Sequence, residues 1–190
     1  VGPEAALAAG IVDEFEKYGL KIFGPNKKAA QLEASKVFAK QLMEKYKVPT
    51  ADFRVFDNAA EAKKYIEKIG APCVVKADGL AAGKGVVVAD TVAEAMGAVS
   101  AMMEEKVFGA AGSKIIIEEC LRGQEASILG FTDSKEVIAL ASAQDHKRIF
   151  DNDLGANTGG MGVYSPAPVV TAPLLKEILE KIVYRAIDGL

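Results

Sequence analysis

The 190-residue sequence predicts an α+β fold, and three observations carry that prediction. Apolar residues recur at helical spacing in several separate runs. Short β-branched runs, hairpin-like in their spacing, fall between those helices. Glycine-rich polar segments join the short runs, where a wound parallel sheet would have helical crossovers. Half of the residues are apolar, enough for a sizeable core, and the length suits one ordinary domain or two small ones sharing a cleft.

Taken in order, Leu7, Ile11, Val12 and Phe15 predict an amphipathic helix over 4–18, ended by Gly19. Residues 21–25 (Lys-Ile-Phe-Gly-Pro) read as a short strand and turn, a βαβ-like remnant at the start of the chain. Phe38, Leu42 and Met43 share one side of a helix over 36–46. Residues 53–56 are strand-like. The helix over 59–69 stops at Gly70, and Pro72 prevents its continuation. Strands are expected at 73–76 and 86–89, a helix at 92–105, and strands at 114–120, 125–131 and 137–141. The glycine-rich stretch 144–165 reads as loop. Thr171 is the expected N-cap of a last helix with Leu174, Leu175, Ile178, Leu179, Ile182 and Val183 at core spacing.

Composition excludes several classes. The net charge is −3, which disfavours a general nucleic-acid binder, so any anion site must be built locally. No apolar run reaches the ~18 residues of a membrane span, and no signal peptide is legible. Cys73 and Cys120 stand far apart in or beside apolar runs, which points to reduced thiols in a cytoplasmic protein rather than a zinc site or a disulfide framework. Both ends of the sequence read as cut from a longer chain.

The segment 76–86, Lys-Ala-Asp-Gly-Leu-Ala-Ala-Gly-Lys-Gly-Val, is the most informative. Gly79, Gly83 and Gly85 let backbone approach a ligand, and their N–H groups can face phosphate oxygens, with Lys76 and Lys84 adding charge. It is not a Walker loop, because Asp78 stands where the first Gly is needed and Gly85 where Ser or Thr is needed. A dinucleotide fingerprint fails at Val88. The segment is strand–loop–strand, either a flap over a nucleotide or an ordinary hairpin tip.

Further on, Ile117-Glu118-Glu119-Cys120-Leu121 ends a strand in two carboxylates, and Glu125 follows. Alternation sends Glu118 and Glu119 to opposite faces. Residues 119–121 can offer backbone groups and an apolar wall to an adenine, and Glu125 an acceptor to a ribose; the plain alternative is a solvated strand end. Asp145, His146, Lys147 and Arg148 place a carboxylate, the only His and two cations in a row. Asn157, Thr158, Gly159, Gly160, Met161 and Gly162 form a second donor-rich stretch. Such density suits a small polar anion, and equally a hydrogen-bonded loop and a turn cluster. No nucleophile–base constellation and no zinc ligand set is visible.

In this order, the 76–86 loop, the 117–121 strand, and the pair 144–148 (Gln-Asp-His-Lys-Arg) and 157–162 (Asn-Thr-Gly-Gly-Met-Gly) resemble the phosphoribosylamine–glycine ligase family of the ATP-grasp superfamily. Phe23-Gly24-Pro25, residues 30–36 (Ala-Gln-Leu-Glu-Ala-Ser-Lys) and 164–168 (Tyr-Ser-Pro-Ala-Pro) extend the likeness to essentially the whole chain. The loop alone indicates only the superfamily; the 144–148 and 157–162 pair is far more specific.

The resemblance implies an ATP-grasp fold, two α+β subdomains clamping ATP, preceded by a remnant of an α/β N-terminal domain. The implied division is 1–25 for that remnant, 26–71 for linker and first part of the ATP-grasp, 72–142 for the lid subdomain and 143–190 for the start of the second subdomain. Lys36 and Lys76 are implied to contact phosphates, with Gly79, Gly83, Lys84 and Gly85 closing over them. Glu118, Glu119, Cys120 and Leu121 are implied to line the adenine, and Glu125 to take the ribose hydroxyls. Arg148 and Asn157 would face the phosphates and the reacting centre, and Asp145, His146, Lys147, Thr158, Gly159, Gly160 and Met161 would contact substrate.

The implied reaction is ATP-dependent joining of glycine to 5-phosphoribosylamine through glycyl phosphate, a step of purine biosynthesis. It requires Mg²⁺ or Mn²⁺ and no enzyme nucleophile. The metal ligands are expected downstream of Leu190, so the 190 residues alone are expected to be inactive. A cytoplasmic monomer is expected, with no nucleic-acid or membrane partner. The rival readings are another ATP-grasp ligase of purine or amino-acid metabolism and a nucleotide-binding regulatory module without chemistry.

Overall fold

A computed structural model of the chain describes residues 4–81 and 85–190, apart from the side chains at 153, 156 and 157. Gly83 and Lys84 therefore lie outside the described residues. The chain divides into two compact units, residues 1–45 with 50–121, and residues 46–49 with 122–190.

The first unit opens with two short helices, α1 (Glu4–Ala9) and α2 (Ile11–Lys17), in place of the single expected helix. The break is at Gly10, whose φ of 94° is left-handed, so the helical ladder cannot run through it. The expected strand over 21–25 does not form. Alternating apolar residues favour extended backbone, but a strand exists only where ladder hydrogen bonds are made, and the sheet of this unit contains other segments. A single turn, α3 (Gln31–Ala34), leads into α4 (Lys36–Lys45).

The sheet is antiparallel. Its strands are β1 (Phe53–Phe56), β2 (Cys73–Ala77), β3 (Val86–Ala89) and β4 (Ile115–Glu119), in the order β1-β4-β2-β3. Helix α5 (Ala59–Ile69) starts where the Asn58 side chain accepts from Glu61 N and ends at Gly70, with φ 76°. Helix α6 (Val92–Val99) starts with a reciprocal cap: Thr91 Oγ1 accepts from Glu94 N at 3.2 Å, and Glu94 Oε2 accepts from Thr91 N at 3.3 Å. A π-helical turn, Ser100–Glu104, prolongs it to nearly the expected length.

The sheet's two faces have different chemistry. Residues directly opposite in an antiparallel pair share a face, and successive residues alternate. Cys73, Val75 and Ala77 of β2 stand opposite Glu119, Ile117 and Ile115 of β4. All of these but Glu119 join Ala62, Ile66, Val99 and Met102 from the α5–α6 side in the core. Ile66, Val75, Val99 and Ile115 are fully buried, so each truncation to Ala there costs about 2–5 kcal/mol. The other face carries Val74, Lys76, Ile116 and Glu118. This is the face that α4 meets, through Lys40.

The second unit is built from hairpins and a helix. Strands β5 (Gly130–Thr132) and β6 (Val137–Ala139) pair antiparallel. The expected strand over 125–131 contracts to β5, with one isolated bridge between Ser127 and Ala143 upstream. The stretch expected as loop is instead a long antiparallel ribbon, β7 (Gln144–Phe150) with β8 (Leu154–Tyr164). A two-stranded ribbon pairs backbone without demanding an apolar face, so its glycines and charges misled the hydrophobic pattern. Thr171 caps α7 (Ala172–Ile178) by accepting from Leu174 N at 3.4 Å, and the helix runs on through a π turn into α8 (Tyr184–Asp188). Among the described residues no helix is long and apolar enough to cross a membrane.

Candidate functional site

In the first unit, strand geometry assembles a charged cluster on the polar face of the sheet. Val74 pairs with Glu118 and Lys76 with Ile116, so Lys76 and Glu118 are diagonal neighbours on one face. Lys76 Nζ stands 2.8 Å from Glu118 Oε2. From α4, Lys40 Nζ stands 3.4 Å from Glu118 Oε1. Lys40 also donates to Thr50 Oγ1 at 2.6 Å and to the Ala51 carbonyl at 3.2 Å.

The Glu118 and Lys40 side chains are only 5% and 9% exposed, whereas Lys76 keeps 28%. Two lysines thus share one buried carboxylate, and the more open of them faces solvent. Burial holds the Lys40 ammonium below its usual pKa, partly offset by Glu118.

One turn earlier on α4, Lys36 reaches the base of the glycine-rich segment, where Nζ donates to the Gly79 carbonyl at 3.0 Å. It is half-buried, and burial lowers its pKa, with the Asp78 carboxylate the largest opposing influence. Lys76 and Glu118 are close enough to act on it as well. Around Glu118 and Asp78 three ammonium groups meet two carboxylates, with Glu33 also acting on Lys36 and Asp52 on Lys40. Lys36 suits a polyanion arriving from the open side, because phosphate oxygens would replace a carbonyl as its partner and compensate its burial.

Gly79 and Gly85 serve close approach here, not left-handed backbone. A Cβ on Gly79 would stand 2.8 Å from Ala111 Cβ, and one on Gly85 would stand 2.7 Å from Ala81 Cβ. Gly85 accepts from Ala77 N at 2.8 Å, closing the base of the loop.

At the end of β4 the two carboxylates part, as alternation requires. Glu118 turns inward to its lysines. Glu119 is exposed, and its N–H donates to the Asp52 carbonyl at 2.9 Å. Cys120 is half-buried and Leu121 is 66% exposed. The Glu118 carboxylate is committed to two cations, one on each oxygen. Sequence reasoning passed over Lys40; the available signal was its position four residues after Lys36, on the same face of α4.

The second unit carries the other group. Lys147 Nζ pairs with Glu125 Oε1 and lies 2.9 Å from Asp145 Oδ2. The two carboxylates raise the Lys147 pKa, Glu125 foremost, and the hydrogen bond from Lys147 lowers that of Asp145. Arg148 donates to the Gly155 carbonyl within the ribbon and pairs with Asn157 in the ladder. The Asn157 side chain is outside those described.

The His146 ring is exposed and lies 5.5 Å from that of Tyr164. Thr158 Oγ1 accepts from Gly160 N at 3.0 Å, Gly159 is exposed, and Met161 is 60% exposed. Glu125, Asp145, His146, Lys147, Arg148 and Met161 border a cavity of about 800 Å³. Among the described residues no three His, Cys, Asp or Glu side chains are grouped to hold a metal ion.

Comparison with known proteins agrees with this architecture. Residues 34–190 match the model of the phosphoribosylglycinamide synthetase ATP-grasp (A) domain, and residues 1–33 match that of the N domain of the same family. The chain is 56% identical over its full 190 residues to a phosphoribosylamine–glycine ligase of Ralstonia nicotianae, of which it spans 45%. It therefore covers less than half the length of that relative.

The crystal structure of phosphoribosylamine–glycine ligase from Thermotoga maritima superposes with a TM-score of 0.77 at 36% identity, over 88% of this chain and 42% of that one. A biotin carboxylase–βγ-ATP complex from Campylobacter jejuni superposes with a TM-score of 0.76 at 21% identity, over 94% of this chain and 39% of that one, a likeness of fold alone. The fold is ATP-grasp, and the chain belongs to the phosphoribosylglycinamide synthetase family.

Proposed function

We propose that this chain is the nucleotide-binding portion of an ATP-dependent ligase that joins the glycine carboxylate to the amine of 5-phosphoribosylamine, giving glycinamide ribonucleotide, ADP and phosphate in purine biosynthesis. The observation that carries the reading is the Lys36–Lys40–Lys76 cluster around Glu118 and Asp78, set at the base of the glycine-rich segment. Its ammonium groups, held in place by fixed partners, suit the polyphosphate of a nucleotide.

In this reading Lys36 and Lys76 meet phosphates, and Gly79 and Gly85, with Gly83 and Lys84, let the loop lie over them. Backbone of Glu118, Glu119 and Cys120 and the side chain of Leu121 border the adenine; Glu125 takes the ribose. Arg148 and Asn157 serve the reacting centre. Asp145, His146, Lys147, Thr158, Gly159, Gly160 and Met161 contact substrate. The division into 1–25, 26–71, 72–142 and 143–190 follows the ATP-grasp subdomain scheme rather than compactness, and belongs to the same reading.

The chemistry is acyl activation: the carboxylate attacks the γ-phosphorus, ADP leaves, and the amine then displaces phosphate to form the amide. A divalent ion, Mg²⁺ or Mn²⁺, would neutralise charge on the phosphates when bound. The described residues fit the polyphosphate and do not themselves group into a metal ligand set. The protein is proposed to act as a cytoplasmic monomer, and the 190 residues alone to be inactive.

The test is phosphate release by the full-length protein with ATP, Mg²⁺, glycine and phosphoribosylamine, each omitted in turn. Turnover requiring all four supports the reading. ATP hydrolysis indifferent to glycine would sink the substrate assignment and favour another ATP-grasp ligase.

A further inference from the structure

The first turn of α4 is capped from two places. Ser35 has extended backbone, and its Oγ accepts from Phe38 N at 3.1 Å, an ordinary N-cap bond. The same hydroxyl donates to Asp78 Oδ1 at 2.9 Å. Asp78 Oδ1 also accepts from Val37 N at 2.8 Å, and the Asp78 carbonyl accepts from Lys36 N at 3.1 Å. The first three N–H groups of the helix are thus all taken, two of them by a residue 41 or more positions away in sequence.

That residue follows β2 directly and precedes Gly79, on whose carbonyl the Lys36 ammonium rests. Asp78 N itself donates to the Lys114 carbonyl at 3.1 Å, which ties it to the entry of β4. The helix start, the loop base and the sheet meet at this one carboxylate.

The arrangement has a consequence for anion binding. A helix N-terminus with free N–H groups attracts phosphate. Here those donors are spent on Asp78 and Ser35, and the negative charge of Asp78 also opposes a second anion at that spot. What the helix offers a phosphate is the Lys36 side chain, at a place fixed by its own first turn.

We propose that Asp78 is a positioning residue for nucleotide binding: it locks the first turn of α4 to the base of the glycine-rich loop and so sets where the Lys36 ammonium stands. The proposal rests on the reading of the cluster as a nucleotide site. It assigns Asp78 no contact with the nucleotide, only an effect through Lys36.

The experiment is a double-mutant cycle on the full-length protein, with MgATP affinity measured by calorimetry for wild type, Asp78→Ala, Lys36→Met and the double variant. Asp78→Ala, which removes the acceptor for Val37 N and the Ser35 hydroxyl, is expected to weaken ATP about tenfold on the wild-type background, and to have no further effect once Lys36 is gone. Equal weakening on both backgrounds, or unchanged affinity of Asp78→Ala, overturns the proposal.

Ser35→Ala, which keeps the carboxylate and removes its hydroxyl donor, provides a milder second variant and is expected to weaken ATP less, again only when Lys36 is present. The Lys36 side chain, followed by NMR titration without nucleotide, gives a separate readout: its pKa should fall further in Asp78→Ala. An unchanged titration overturns the placement even if ATP binds. Absence of ATP binding by the wild type, with the titration shifted as expected, would instead overturn the nucleotide reading and with it the functional role given to Asp78.

Discussion

At the residue scale, Glu118 decides the polar face of the sheet. Its carboxylate is nearly enclosed and serves two ammonium groups, one of them also nearly enclosed. Replacing it with Ala leaves the Lys40 charge buried without its carboxylate, so Glu118→Ala should cost about 3–5 kcal/mol in urea unfolding at neutral pH. Glu118→Gln keeps an acceptor and should cost less. Lys76→Ala leaves Lys40 on Glu118 and should spare stability relative to Glu118→Ala while weakening nucleotide binding. A loss from Lys76→Ala equal to that from Glu118→Ala would mean that the more open lysine is structural.

Lys36 gives a prediction whose two signs differ. Its folded pKa lies below the ordinary 10.5 because burial disfavours the ammonium. Below the folded value both states are protonated and the burial penalty is fully present. Between the folded value and 10.5 the unfolded chain binds more protons, so this residue's contribution to stability rises with pH. Affinity for ATP should move the other way, falling as Lys36 deprotonates. Both trends should be absent from Lys36→Met, measured by unfolding and by ATP binding across the alkaline range.

At the element scale, the glycine-rich loop is anchored by fit. Gly79 has no room for a Cβ because Ala111 occupies the space, and its N–H lies 3.4 Å from the Ala111 carbonyl. Gly79→Ala should therefore destabilise the protein by about 1–3 kcal/mol and weaken ATP binding. Gly79→Ala with Ala111→Gly should recover part of both losses, because it removes the nearer clash. No recovery would mean that backbone conformation, not space, fixes glycine at 79.

The elements differ in how legible they were. Strands β1 to β4 and helices α5 and α6 carry strong local signals: apolar and β-branched runs, helical spacing and Gly70 as a stop, whereas the Asn58 and Thr91 caps came from the structure. The ribbon of β7 and β8 was hidden because its pairing is backbone to backbone and its side chains keep no apolar face. The break at Gly10 was hidden because helical spacing continues across it; Asp13 Oδ2 accepting from Lys27 N at 2.6 Å shows that tertiary contact helps settle that region. At the site, lysines and glycines were visible as types. The roles of Glu118, Lys40 and Asp78 were not, because they depend on strand register and on which face α4 presents.

At the scale of the whole molecule, the two units hold their structure by different means. In the first, Ile66, Val75, Val99, Met102, Ile115, Ile116 and Ile117 are excluded from solvent on β2, β4 and the helices beside them. In the second, Leu129, Phe131 and Ile138 of the β5–β6 hairpin and Phe150, Leu154 and Val163 of the ribbon are each more than half exposed. Opening free energy follows buried apolar contact, so the amides of β2 and β4 should exchange only on global unfolding, while those of β5 to β8 exchange through local opening. Hydrogen exchange followed by mass spectrometry on this 190-residue chain should show protection in β4 exceeding that in β7 by orders of magnitude. Equal protection would mean that the ribbon's hydrogen bonds are held by more than the burial seen here. The same measurement on the full-length protein should raise protection in β5 to β8 and leave β2 and β4 unchanged, if the remaining length that the relatives possess covers those exposed residues. An unchanged pattern there would leave the ribbon as an intrinsically opening element. The cavity bordered by Glu125, Asp145 and Lys147 would then lie beside backbone that opens locally in the assembled enzyme as well.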